Sequence, residues 1–68
     1  MEENWQVVFT TNKIYQAEMV KNILEENEIE AILLNKQDSL YLFGDIEIYV
    51  HPDHVIRSLN LVKQWKNE

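Results

Sequence analysis

The segment Ile46-Glu47-Ile48-Tyr49-Val50-His51-Pro52-Asp53 decides the fold. Its first five residues alternate, sending Ile46, Ile48 and Val50 to one side of a strand and Glu47 and Tyr49 to the other. Pro52 then suits the first turn of a helix, where its missing N–H costs nothing, and Asp53 there meets the positive end of the helix dipole. Beyond it Val55, Leu59, Val62 and Trp65 recur at steps of four, three and three, with Arg57, Asn60, Lys63 and Gln64 mainly on the polar flanks. The spacing predicts a helix that runs nearly to the last residue and packs through those four apolar side chains.

Toward the N-terminus, Ile29 to Leu34 is a run of six ended by polar Asn35-Lys36-Gln37-Asp38-Ser39, a strand length rather than a helix length. Lys13 to Asn27 carries Ile14, Ala17, Val20, Ile23 and Leu24 on one stripe and reads as an amphipathic helix. Thr11 or Asn12 is placed to cap its start, and Asn27 tolerates the left-handed conformation that closes many helices. Trp5 to Thr11 is rich in β-branched and aromatic residues and reads as a first strand, with Trp5, Val7 and Phe9 on one face. The order is strand, helix, strand, strand, helix. A strand–helix–strand unit that leaves a gap between its strands lets the third insert antiparallel, which gives an α+β, ferredoxin-like two-layer sandwich with both helices on one sheet face. The fourth strand of that arrangement is not expected here, since only Lys66-Asn67-Glu68 follow Trp65 in this sequence.

The first strand is therefore expected at an open sheet edge, which invites pairing with another chain. With Trp5, Val7, Phe9, Ile29, Ala31, Leu33, Ile46, Ile48 and Val50 facing the helices, Val8, Ile32, Leu34 and Tyr49 collect on the opposite face. Contiguous apolar patches of that kind mark contact surfaces, so a homo-oligomer formed through this face or edge is expected. Folding of the Leu40-Tyr41-Leu42-Phe43 segment over the patch, or the other register of the second strand, is the competing reading.

Composition excludes several classes. The chain has 68 residues with one Gly, one Pro and no Cys, and is read as one domain spanning residues 1–68. Without cysteine there is no disulfide, thiolate nucleophile, iron–sulfur cluster or cysteine-based zinc site. Twelve acidic against six basic residues give a net charge of −6, which repels phosphate backbones and anionic headgroups, so neither nucleic acid nor a membrane is expected as a partner. The acidic start Met1-Glu2-Glu3 lacks a signal peptide's basic region and no apolar run is long enough to span a bilayer, so a cytoplasmic location is expected.

Thr11-Asn12-Lys13-Ile14-Tyr15-Gln16-Ala17-Glu18-Met19-Val20, Leu24-Glu25-Glu26-Asn27-Glu28-Ile29-Glu30-Ala31, Asn35-Lys36-Gln37-Asp38-Ser39, Tyr41-Leu42-Phe43-Gly44 and Val50-His51-Pro52 carry a resemblance over nearly the whole chain. The sequence resembles a family of small bacterial proteins grouped as putative prokaryotic signal-transducing proteins, a domain of unknown function whose fold is similar to the PII (GlnB-like) regulators. The resemblance implies a ferredoxin-like sheet and a regulatory or binding role. Many relatives place Gly at the turn before the second strand, where this sequence has Glu28 after Asn27.

The ten-residue connection from Asn35 to Gly44 is long for a hairpin and half apolar; it is similar in position to PII's flexible interaction loop. Lys36 can pair with a phosphate or carboxylate, Asn35 and Gln37 offer donors and acceptors, and Asp38 and Ser39 can contact a ribose. The same residue types are ordinary turn formers. Tyr41 and Phe43, with Leu40 and Leu42, either extend the hairpin onto the core or anchor a partner protein. His51, Asp53 and His54 stand together, but Asp45 would lie roughly 20 Å away at ~3.3 Å per residue, leaving too few ligands for a metal. Glu25, Glu26, Glu28 and Glu30 read as a solvated acidic corner or a docking patch for a basic partner. Ser39 and Ser58 lack a nucleophile elbow or a recognisable base, and the only Gly, Gly44, makes no phosphate cradle. The expected function is a non-enzymatic regulatory module without metal or cofactor, contacting a small molecule or protein through residues 35–44. The alternative is an adaptor that docks a protein through the first-strand edge or apolar sheet face.

Overall fold

A computed structural model describes residues 4–37 and 44–67. Strand β1 (Gln6–Thr11) leads to helix α1 (Ile14–Glu26), followed by strands β2 (Ala31–Asn35) and β3 (Ile46–Val50), a single 3₁₀ turn at Pro52–His54 and helix α2 (Val55–Lys66). β3 lies between β1 and β2 and is antiparallel to both. This is the split, ferredoxin-like arrangement the element order predicts, with three strands among the described residues. Ile46, Ile48 and Val50 on the central strand are completely buried and meet Ala17, Val20 and Leu24 of α1 and Val62 of α2.

β1 departs from simple alternation. Val7 pairs with Tyr49 and Phe9 with Ile48, so Val8 is an extra residue opposite the regular ladder of β3. A bulge of this kind brings two successive side chains toward the same layer. Val8 and Phe9 are both buried in the core, while Val7 is 41% exposed. The expected faces of Val7 and Val8 are thus exchanged, because alternation holds only while each residue has one partner across the ladder.

The end of α1 is closed by Glu28 rather than by Asn27. Asn27 has φ −98°, and Glu28 is left-handed at φ +63°. The Ile29 N–H donates to the Leu24 carbonyl at 2.9 Å and the Glu28 N–H to the Glu25 carbonyl at 3.0 Å, the paired bonds of a Schellman motif. Ile29 is buried against Leu24 as the apolar clasp of that motif, so it closes the helix and the strand begins two residues later. At the helix start no side chain caps the first-turn N–H groups; the Thr11 hydroxyl instead accepts from the Lys13 N–H at 3.2 Å.

α2 is rotated from the expected face. Ser58 and Val62 are buried, Val55, Leu61 and Trp65 pack against the core, and Leu59 is exposed. Phe9 receives the Trp65 ring edge to face, with centroids 5.5 Å apart, a geometry favourable for aromatic pairs.

Candidate functional site

The face of the sheet away from the helices carries two rows of side chains. Val7, Tyr49 and Ile32 lie across the three strands in one row, and Thr10, Glu47 and Leu34 in the next. Ile32, Leu34, Glu47 and Tyr49 are half-buried. Val8, expected in this group, belongs to the core, and Val7 takes its place through the bulge.

One polar cluster is set into this apolar face. The Lys36 ammonium lies 2.8 Å from Glu47 Oε1, and the Tyr49 hydroxyl donates to the same oxygen at 2.8 Å. The Lys36 hydrogen bond, and then that of Tyr49, hold the Glu47 carboxyl below its ordinary value. Lys36 is raised by the same contact. Tyr49 is raised because Glu47 accepts a hydrogen bond from its neutral hydroxyl. With a side chain only 19% exposed, Glu47 sits on the sheet already neutralised by its own chain.

The described part of the connection after β2 is committed to structure. Asn35 Oδ1 accepts from the Gln37 N–H at 2.8 Å, an Asx turn, and Gln37 Nε2 donates to the Asn12 carbonyl at 2.7 Å. The Lys36 N–H donates to the Asp45 carbonyl at 3.0 Å, which continues the β2–β3 pairing past both strand ends. Gly44 has φ +105°, and a Cβ there would stand 2.7 Å from the Lys36 carbonyl oxygen. Asp38, Ser39, Tyr41 and Phe43 lie outside the described residues.

Residues 5–66 match the family described as putative prokaryotic signal transducing protein. The chain belongs to that family. No curated protein and no solved structure matches it. In this prokaryotic signal-transducing family member, β1 stands at the sheet edge, paired on one side with β3. Beside it an open depression of about 520 Å³ is lined by Phe9, Thr10, Gln16, Trp65 and Lys66. His51 Nδ1 accepts from the Asp53 N–H at 3.2 Å, and its ring meets the Trp5 ring edge to face. Among the described residues no group of three or more His, Cys, Asp or Glu is placed to hold a metal ion. Ser58 is completely buried, and its hydroxyl has no hydrogen-bond partner among the described residues. No described helix is long and apolar enough to cross a membrane.

One residue of this face, Val7, escapes the sequence reading, and the pairing of another, Glu47, does too. Val7 is hidden by the bulge, for which the strand carries no Gly or other marker. Glu47 was legible in part, because alternation along Ile46–Val50 puts it on the same face as Tyr49, but its tie to Lys36 depends on the hairpin register.

Proposed function

We propose that this protein is a non-catalytic signal-transducing module that acts by protein–protein contact, with the open sheet face joining it to a second copy of the same chain. The observation that carries this reading is the sheet face away from the helices: exposed Val7 and partly exposed Ile32, Leu34 and Tyr49 surround a Lys36–Glu47 pair that cancels its own charge. Two chains of net charge −6 repel at long range. A neutral, largely apolar face lets them meet without placing like charges together, and apolar burial then drives association.

Contact with a small molecule through residues 35–44 is the second reading. Asn35 Oδ1 and Gln37 Nε2 are bonded to the chain's own backbone and Lys36 to Glu47, which favours protein docking. Amide shifts of labelled protein, followed by NMR first on dilution and then on addition of nucleotides and inorganic anions, test both. Dilution shifts at Val7, Ile32, Leu34 and Tyr49 support self-association. Anion-induced shifts confined to residues 35–39, with no dilution effect, reject it in favour of the ligand loop.

A further inference from the structure

The outer face of α2 has no role in the sheet contact, since the helices occupy the other layer of the sandwich. It departs from what helix stability alone would select. Ile56 is 78% exposed and Leu59 47% exposed, the first a β-branched residue that gives a helix less support than Ala, Lys or Glu at a solvated position. Arg57 stands in the first turn, where the helix dipole disfavours a cation. Lys63 and Lys66 suit the last turn, but Arg57 has no such explanation. The sequence of α2, Val55–Lys66, contains three cations and no Asp or Glu, within a chain whose net charge is −6.

Ile56, Asn60 and Lys63 share one surface. At 100° per residue they centre opposite the buried Ser58–Val62 stripe, with Leu59 on one flank and Arg57 on the other, while Lys66 turns back toward the core with its ammonium 5.6 Å over the Phe9 ring. Among the described residues neither Arg57 nor Lys63 makes an ion pair. The surface joins two aliphatic anchors to unspent positive charge, the complement of a helix with an apolar stripe and acidic flanks.

We propose that the outer face of α2 docks an acidic amphipathic helix of a partner protein, with Ile56 and Leu59 against its apolar stripe and Arg57 and Lys63 against its carboxylates. Charge selects the partner at short range: within a Debye length Arg57 and Lys63 meet its carboxylates, while the chain's net charge of −6 opposes its approach from farther away.

The test uses a synthetic helical peptide with leucines at i, i+4 and i+7 and glutamates on both flanks, titrated into the labelled full chain. Amide shifts centred on Ile56, Leu59, Asn60 and Lys63 are expected. Binding should weaken roughly tenfold in I56S/L59S and in K63E, and it should fall as salt is raised. The fold of I56S/L59S should survive with only a modest fall in melting temperature, because Ile56 is largely and Leu59 half exposed and serine weakens a helix slightly, and K63E supplies a second reading should the double variant misfold. Silence up to about millimolar peptide, or equal binding of a lysine-flanked control, overturns the proposal. So do shifts that map to the open sheet face, or the same α2 amides responding to phosphatidylserine vesicles while the peptide is silent. A failed peptide titration leaves the dilution shifts of the sheet face untouched, so the two proposals fail separately.

Discussion

Glu28 holds a left-handed conformation in which an L-residue is strained by about 1–2 kcal/mol and glycine is not. Its carboxylate also stands beyond the negative end of α1, beside Glu25, Glu26 and Glu30. Glu28→Gly removes both penalties, so a gain of about 1 kcal/mol is expected, read as a melting temperature higher by roughly 4–8 °C. An unchanged or lower value would mean that the Schellman closure is not what sets this corner. Ser58 offers a second test. Its hydroxyl is buried without a partner in a helix interior, where an unsatisfied polar group costs about 1–3 kcal/mol and Ala is the better helix former. Ser58→Ala should therefore stabilise the protein to thermal and urea unfolding by about 1 kcal/mol. Gly44 behaves oppositely: a Cβ would meet the Lys36 carbonyl at 2.7 Å, and Gly44→Ala should cost about 1–2 kcal/mol from its positive φ alone. The glycine stood out as the only one in the chain. The strain at Glu28 was foreshadowed only by comparison with relatives that place Gly there, since nothing in Asn27-Glu28 itself says which of the two turns left-handed.

At the scale of elements, the strand whose alternation is uninterrupted, Ile46–Val50, has the boundaries its sequence predicts. β1 does not, because Val7-Val8-Phe9 offers three apolar residues in a row and the pattern has no means of showing which one the bulge removes from the ladder. A 3₁₀ turn at Pro52–His54 precedes α2, and the buried stripe of α2 runs through Ser58, a polar residue that hydrophobic periodicity passes over in favour of Leu59. The β2–β3 hairpin supplies a pH prediction. Glu47 is lowered from an ordinary value of 4.5, so its contribution to stability is full above that pH and is lost as pH falls through the lower folded value. Lys36 and Tyr49 are raised from 10.5 and 10.0, so theirs is full below those values and lost as pH rises through the raised ones. Lys36→Met should bring the Glu47 carboxyl back toward its ordinary value in a carboxyl-carbon NMR titration and move the acid shoulder of the stability curve to higher pH. An unmoved Glu47 titration in that variant would show that the ion pair does not persist in solution, where exposed pairs are screened.

At the scale of the molecule, the described residues place two helices on one side of a three-stranded sheet, and the side away from the helices carries Val7, Ile32, Leu34 and Tyr49 around a neutralised ion pair. The layered fold and the existence of an apolar second face were legible from periodicity, because every strand presents a buried row and its alternate row must go somewhere. Which valine joins that face, and the pairing of Lys36 with Glu47, depended on register and hairpin geometry. The central strand supplies three completely buried residues to the core cluster. Ile48 is completely buried, and Ile48→Ala should cost about 2–5 kcal/mol, a large part of the 5 kcal/mol or so that a small domain has to lose. Substitution on the open face should behave differently: Ile32→Glu is expected to keep the monomer folded while placing charge where two copies would meet. The most direct test is sedimentation equilibrium of the unmodified chain over a concentration series reaching high micromolar. A weight-average mass that climbs with concentration toward a multiple of the monomer, and stays at the monomer value in Ile32→Glu, is the expected result. A strict monomer throughout would contradict self-association through the sheet face.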